Sequence, residues 1–375
     1  MRGTEIYASA PKPQTPPETE LTRQGRKERR REMRRARRRT LRRHILFASP
    51  FFALICGLAL FFAASVEEAP VSRAQAPVVE PRLDAPEVDE PGGGNTAARD
   101  ENAAEEEAPQ NAPTGISAAE AEGLRDELGR IADFYPGRYG VVVFDPSTGE
   151  TVSMEPDGRF LAASLNKLPV LMALYRSAAV GTVDLDDEIS MRPSDVQAYG
   201  TGSLFTKPIG YTITLRECAN YLIKESDNTA WKMLDRYLGR EYIRSELYAA
   251  GAVSTEYWLP NTTTPNDVLI MLQKISDPSY TSPDLSREML DTMTNTIFED
   301  RLPQPLPNDA RVAHKIGSYG ATFGDAGIVF VNGSESMNDA YYIVVLADET
   351  GEGTARAAMQ EMSLATYRTF TTQDG

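Results

Sequence analysis

The chain has 375 residues, a net charge of −15 and two cysteines. Two cysteines are too few for a disulfide-stabilised scaffold. The charge is unevenly distributed, because residues 1–44 carry 15 Lys and Arg against 5 Asp and Glu. Residues 67–114 carry 3 against 12, so residues 115–375 have a net charge of −16. This acidic C-terminal part argues against nucleic acid as a partner.

The N-terminal region combines an arginine-rich run with a hydrophobic segment. A basic run such as residues 22–43 is, by itself, typical of nucleic-acid binding. The segment 45–66, however, has 22 residues without a charge, enough to cross a bilayer as a helix. Basic residues directly before such a segment place the N-terminus in the cytoplasm. We therefore predict a basic cytoplasmic tail, residues 1–44, and a single transmembrane helix, residues 45–66, in the plasma membrane.

The hydrophobic segment permits a second interpretation. A cleaved signal peptide remains an alternative, because Ala63-Ala64-Ser65 has the small residues of a cleavage site. Residues 67–114 are rich in Pro, Ala and Glu and predict a disordered, flexible linker. Residues 115–375 are left as the one sizeable folded domain, which we place outside the cytoplasm.

The elements predicted within 115–375 indicate an α+β fold. Ser117-Ala-Ala-Glu120 is a capping box that begins a helix ending near Phe134. Apolar runs predict five strands, at 139–144, 150–154, 311–318, 322–331 and 340–348. Further helices are predicted at 164–179, 215–224, 229–238, 241–249, 265–276, 283–295 and 354–370. This order predicts an α/β sandwich, with an antiparallel five-stranded sheet, terminal helices on one side and an all-helical lobe.

Ser164 and Lys167 lie three residues apart at the start of a predicted helix, so their side chains share one face. A serine hydroxyl needs a base near neutral pH. A lysine in an apolar pocket can be that base, because burial lowers its pKa. The motif alone is weak, since chance also produces it. The polar tail contains a second copy, Ser9 and Lys12.

Two further motifs follow in the chain. Ser226-Asp227-Asn228 lies between two predicted helices, where such residues also serve as an ordinary turn and cap. Lys315-Ile316-Gly317 lies on a predicted strand, where a lysine can hold an anion and a glycine lets a substrate approach. In this order and on these elements, the three motifs resemble the S-x-x-K, S-D-N and K-[TS]-G signature of serine β-lactamases and penicillin-binding proteins. The domain is thus similar to a class A β-lactamase, which implies a β-lactamase/transpeptidase-like fold.

The resemblance implies an acyl-enzyme mechanism. Ser164 would attack the carbonyl of a β-lactam or a D-Ala–D-Ala-like amide, and Lys167 would take its proton. Ser226 would relay a proton to the leaving nitrogen, and the backbone N–H groups of Ser164 and Ser318 would form the oxyanion hole. The substrate-binding residues would be Asn228, Lys315, Gly317 and Ser318. The resemblance implies no metal or other cofactor, and we expect a monomer.

Two departures from the signature concern specific steps. Ile316 replaces the hydroxylated residue of K-[TS]-G, and Ser318 is the candidate that could supply a hydroxyl in its place. Glu256 matches the glutamate of the class A E-x-x-L-N motif, which activates the deacylating water, but Pro260 stands where Asn belongs. Glu256 is therefore either that base or a solvated turn residue.

These observations lead to one prediction and two open alternatives. We predict a membrane-anchored serine hydrolase that hydrolyses β-lactams at the outer face of a bacterial plasma membrane, a role in the response to antibiotics. The alternatives are a D,D-peptidase of penicillin-binding type with slow deacylation and a catalytically idle wall-binding module. A Ser-His-Asp triad is not expected, because the only histidines are His44 at the membrane edge and His314 beside Lys315.

Overall fold

Alternating apolar side chains build a central sheet that is buried on both faces. The computed structural model describes residues 115–372. In chain order, the strands are β1 Arg138–Phe144, β2 Thr151–Met154, β3 Phe160–Leu161, β4 Glu188–Ser190, β5 Thr212–Thr214, β6 Thr262–Thr263, β7 Arg311–Tyr319, β8 Thr322–Phe330 and β9 Ala340–Asp348. Five of them form one antiparallel sheet in the order β2-β1-β9-β8-β7.

Eight α-helices accompany these strands within the described residues. They are α1 Ala118–Phe134, α2 Leu168–Ala179, α3 Leu215–Lys224, α4 Asn228–Leu238, α5 Arg240–Ala249, α6 Pro265–Ser276, α7 Pro283–Thr292 and α8 Glu352–Thr371. The capping box predicted at Ser117 is present, with Glu120 as its acidic partner. The helical segment between β2 and β7 forms the lobe that the sequence predicts.

Each face of the sheet packs against its own hydrophobic core. Val141 and Val143 of β1 point towards α1 and α8 and pack in one core with Leu128. Val142, between them, points to the opposite face and packs in the core that contains Leu171 of α2. Side chains alternate across a strand, so one apolar run supplies both layers. The predicted α+β fold, with terminal helices on one side of a five-stranded antiparallel sheet, is confirmed.

The local differences from the prediction are short elements. Ser164 lies in a 3-10 helix, Ala163–Lys167, which precedes α2, whereas a single helix from 164 was predicted. The pairs β3–β6 and β4–β5 were not predicted, because two or three residues are too few to show a strand period. The predicted helix 283–295 ends at Thr292.

Several predictions concern residues 1–114, which lie outside the described residues. The basic tail, the transmembrane helix 45–66 and the linker therefore stay predictions. Among the helices of residues 115–372, none combines the length and apolar character needed to cross a membrane.

Candidate active site

The three sequence motifs meet at one cleft with a volume of about 500 Å³. The 3-10 helix contributes Ser164 and Lys167, and the turn before α4 contributes Ser226 together with the first residue of α4, Asn228. The opposite wall is formed by β7, from which Ile316 and Ser318 face the cleft. These residues come from three separate parts of the chain, and the fold brings them together in one cleft.

Lys167 is positioned to act on the Ser164 hydroxyl. Its Nζ lies 3.0 Å from Ser164 Oγ and 3.1 Å from Ser226 Oγ. Two further oxygens surround it, the backbone carbonyl of Ser226 at 2.6 Å and Asn228 Oδ1 at 2.8 Å. Burial lowers the pKa of Lys167 to about 7, although the charge of Asp227 opposes this change. The amine is thus close enough to accept the serine proton and is partly neutral at neutral pH.

The backbone at Ser164 is held under strain and close to β7. Ala163, directly before the serine, has a φ of 48°, in the left-handed region. On the other side, Gly317 of β7 packs so closely that a Cβ there would lie 2.7 Å from the carbonyl oxygen of Ala162. This contact explains the glycine of the third motif, because any side chain would push the strand away from the nucleophile.

The Ser226-Asp227-Asn228 turn is fixed by an adjoining loop. Asp227 caps α4 by accepting from the backbone N–H of Ala230 at 2.8 Å, and its other oxygen accepts from Leu204 N–H at 2.7 Å. Thr201 Oγ1 donates to the Ser226 carbonyl at 2.7 Å. Ser226 itself has a φ of 52°. The turn and cap interpretation of Asp227 is therefore correct, and it places Ser226 and Asn228 in the cleft.

Lys315 lies behind the cleft rather than in its wall. The side chain is buried and its Nζ donates to the Ile316 carbonyl at 3.2 Å. Burial and the nearby charge of Lys167 hold the pKa of Lys315 well below its ordinary value. Neither Lys315 nor Gly317 is among the described residues that line the cleft. Gly317 therefore has a packing role, and Lys315 is close enough to Lys167 to feel its charge. Substrate binding by these two residues stays a prediction.

Arg301 also lines the cleft, beside Lys167, and no motif identified it from the sequence. Its guanidinium donates to the carbonyls of Gly317 at 3.1 Å and Gly324 at 2.6 Å, and to Ser318 Oγ at 2.6 Å. The residue is only 4% exposed. It comes from a loop between α7 and β7, and a single arginine in a loop carries no pattern that sequence analysis could recognise.

Glu256 does not reach the cleft. Its backbone N–H donates to the Thr262 carbonyl at 2.8 Å. Glu256 is not among the described residues that line the cleft. The segment instead brings Asn261 into the cleft, where its Oδ1 accepts from Asn166 Nδ2 at 2.6 Å. The role of Glu256, as the deacylating base or as a solvated turn residue, stays a prediction.

His314 is a buried structural residue. Its Nδ1 lies 2.8 Å from Asp325 Oδ1, and Nε2 lies 3.3 Å from Glu299 Oε1. Burial lowers the pKa of His314, but the two carboxylates outweigh it and raise the pKa to about 9. This residue does not line the cleft that contains Ser164. Within residues 115–372, no three His, Cys, Asp or Glu side chains are grouped to hold a metal ion.

Fold and site together define a hydrolase of the β-lactamase and penicillin-binding protein superfamily. Residues 123–370 match the family model described as the beta-lactamase enzyme family, and the chain belongs to that family. Among its relatives, beta-lactamase VEB-1 from Pseudomonas aeruginosa is 24% identical over 235 residues. That match covers 56% of this chain and 76% of the relative.

Solved structures show the same fold. PBP-A matches with a TM-score of 0.61 and 27% identity, over 66% of this chain and 96% of PBP-A. A variant of PBP-A, described as an acyl-enzyme complex with penicillin G, matches with a TM-score of 0.62 and 26% identity. This second match also covers 66% of this chain and 96% of the other.

Proposed function

We propose that the domain is a class A β-lactamase-like serine hydrolase that forms an acyl-enzyme on Ser164 with β-lactams. The observation that carries this proposal is the buried amine of Lys167, 3.0 Å from Ser164 Oγ, with a pKa lowered to about 7. A partly neutral amine at this distance removes the main obstacle to serine attack, the proton of the hydroxyl. The penicillin G complex of the PBP-A variant supports the choice of substrate.

A residue can be assigned to each step of acylation. The neutral Lys167 amine accepts the Ser164 proton as the oxygen attacks the lactam carbonyl. Ser226 Oγ, 3.1 Å from the same amine, returns a proton to the lactam nitrogen as the C–N bond breaks. The backbone N–H groups of Ser164 and Ser318 stabilise the oxyanion. Lys167 thereby passes the proton of the attacking Ser164 oxygen, through Ser226, to the leaving nitrogen.

Substrate recognition uses the two walls of the cleft. The Asn228 amide binds the amide of the acyl side chain. On the β7 wall, the guanidinium of Arg301 and the hydroxyl of Ser318 bind the substrate carboxylate, a role that the sequence assigned to Lys315. An arginine suits this task, because it remains charged and presents several donors in one plane.

A second candidate differs in the fate of the acyl-enzyme. Glu256 is not among the described residues that line the cleft, and the carboxylates that line it, Asp300 and Glu352, pair with Arg356 at 3.1 and 3.2 Å. A carboxylate placed to activate a deacylating water is thus not evident near Ser164 among the described residues. This observation favours a penicillin-binding-type enzyme that acylates readily and releases its product slowly.

A fluorescent penicillin separates the candidates. The full chain is labelled, the excess reagent is removed, and the loss of label is followed together with nitrocefin hydrolysis. Labelling that is absent in Ser164→Ala and lost rapidly supports the β-lactamase, whereas labelling that persists supports the slow enzyme. Failure of every β-lactam to label Ser164 would contradict both and leave the catalytically idle wall-binding module.

We also propose that residues 45–66 anchor the chain in a bacterial plasma membrane with the domain outside. The support is the uncharged 22-residue segment after the basic tail. Intact cells treated with a protease should lose the domain but keep the basic tail. Recovery of the domain in a membrane-free fraction, cut after Ser65, would instead indicate a cleaved signal peptide.

A further inference from the structure

Trp231 forms an apolar wall of the cleft one helical turn beyond Asn228. Both residues lie on α4, three positions apart, so their side chains project from the same face. Both also line the cleft that contains Ser164. A substrate that extends along α4 beyond the group held by the Asn228 amide would therefore contact the indole of Trp231.

The indole of Trp231 is fixed by its neighbours. Its Nε1–H donates to Tyr257 Oη at 3.0 Å, and that hydroxyl donates to Asp235 Oδ1 at 3.0 Å. Its ring centre lies 4.9 Å from that of Trp258. Arg240 in turn lies 3.7 Å from the centre of the Trp258 ring, where its charge can attract the ring. The polar edge of Trp231 is thus satisfied inside the protein, and the side chain can offer only apolar ring surface to the cleft.

The geometry points to Trp231 as a specificity-determining residue for the acyl group, favouring an aromatic substituent beyond the amide that Asn228 holds. This inference rests on the proposed function, since it concerns the substrate of the acylation of Ser164. Arg301, the proposed carboxylate ligand, is bonded to the β7 wall, which directs the acyl side chain towards the α4 wall. A phenylacetyl group can stack on the fixed indole without an ordering cost on the protein side. A charged side chain would lose hydration against the apolar ring.

The first test compares acylation rates for three penicillins and three versions of the full chain. The substrates are benzylpenicillin, 6-aminopenicillanic acid and a penicillin with a charged aminoadipoyl side chain. The unmodified chain should prefer benzylpenicillin, and Trp231→Ala should reduce this preference about fivefold, the value of one aromatic pair. Trp231→Phe keeps a ring and should keep most of the preference. An unchanged preference in Trp231→Ala overturns the proposal.

A matched control separates specificity from stability. Leu128→Ala opens a cavity in the core that also contains Val141 and Val143, and Leu128 is not among the described residues of the cleft wall. This variant should have a lower melting temperature and the preference of the unmodified chain. If Leu128→Ala and Trp231→Ala lower the preference equally, the change reflects lost stability and the inference is wrong.

The second test needs no acylation. The chain contains two tryptophans, and both belong to this aromatic pair, so Trp258→Phe leaves Trp231 as the only indole fluorophore. In the double variant Ser164→Ala, Trp258→Phe, N-phenylacetyl-D-alanyl-D-alanine should change the emission and N-acetyl-D-alanyl-D-alanine should not. Equal responses to the two peptides, or none, count against the inference.

The two proposals can fail separately. A chain that no β-lactam acylates, but whose emission responds to the phenylacetyl peptide, would refute the acyl-enzyme proposal and support the aromatic subsite. A chain that is acylated equally fast by all three penicillins would support the acyl-enzyme and refute the subsite.

Discussion

The protonation state of Lys167 should control the rate at which Ser164 is acylated. With an ordinary pKa of 10.5, the neutral fraction of a lysine at pH 7 would be about 3 × 10⁻⁴. With the pKa lowered to about 7 by burial, this fraction is about one half. Burial therefore increases the population of the reactive amine by about a thousandfold.

The consequence is a defined pH profile. The rate of acylation should rise about tenfold per pH unit below pH 7 and become constant above about pH 8, because deprotonation of Lys167 is then complete. The second-order rate constant is measured with a fluorescent penicillin between about pH 5 and pH 9. Lys167→Arg keeps the positive charge but cannot act as a base, so acylation should fall by about 10²- to 10⁴-fold.

Two results would refute this account of the base. A rate that is the same at about pH 5 and pH 8 would mean that Lys167 is not titrated in the step. A rate that continues to rise beyond about pH 9 would mean that the amine retains its ordinary pKa despite its burial. Circular dichroism at each pH is the control, because loss of structure would also lower the rate.

Three further predictions test other parts of the site. Arg301→Ala should lower the acylation efficiency about 10- to 100-fold for a penicillin with a free carboxylate, which corresponds to the loss of a charged hydrogen bond. The loss should be much smaller for the methyl ester of the same penicillin. Equal losses for the two compounds would contradict the carboxylate role. Gly317→Ala should lower the free energy of unfolding in urea by about 1–3 kcal/mol, because the new Cβ would lie 2.7 Å from the Ala162 carbonyl oxygen. In contrast, Gly123→Ala, in the open on α1, should raise it by up to about 1 kcal/mol. Lys167→Met should raise the free energy of unfolding more at pH 7 than at pH 10, by on the order of 3 kcal/mol. The reason is that the lowered pKa of Lys167 penalises the folded state as the pH falls below 10.5. Equal gains at both pH values would refute the neutral amine.

The sequence contains enough periodicity and motif order to predict the fold and the three site segments. The apolar runs of β1, β7, β8 and β9 are long, so their strand character is evident, and the predicted strand at 340–348 is correct at both ends. Ser164, Lys167, Ser226 and Asn228 were found because each belongs to a motif with fixed spacing. Their meeting in one cleft follows from the sheet order, which brings β7 against the 3-10 helix.

The residues that were missed are defined only by tertiary contacts. Arg301 and Trp231 have no characteristic neighbours in the sequence, and their roles depend on what faces them across the cleft. Glu256 shows the limit of motif matching, because it matches a motif in the sequence but is not among the described residues that line the cleft. The segment is short, and a difference of a few residues in a loop changes which side chain reaches the cleft. It is Asn261 that does so.

The left-handed backbone of Ala163 and Ser226 affects how this enzyme could be made more stable. At φ values of 48° and 52°, each residue costs about 1–3 kcal/mol relative to a relaxed conformation. Glycine at position 163 should therefore raise the melting temperature, because it is the residue type that adopts this conformation most easily. The same change would loosen the backbone directly before the nucleophile. Thermostability and reactivity should thus oppose each other at this single position, so that a gain in melting temperature would be accompanied by slower acylation.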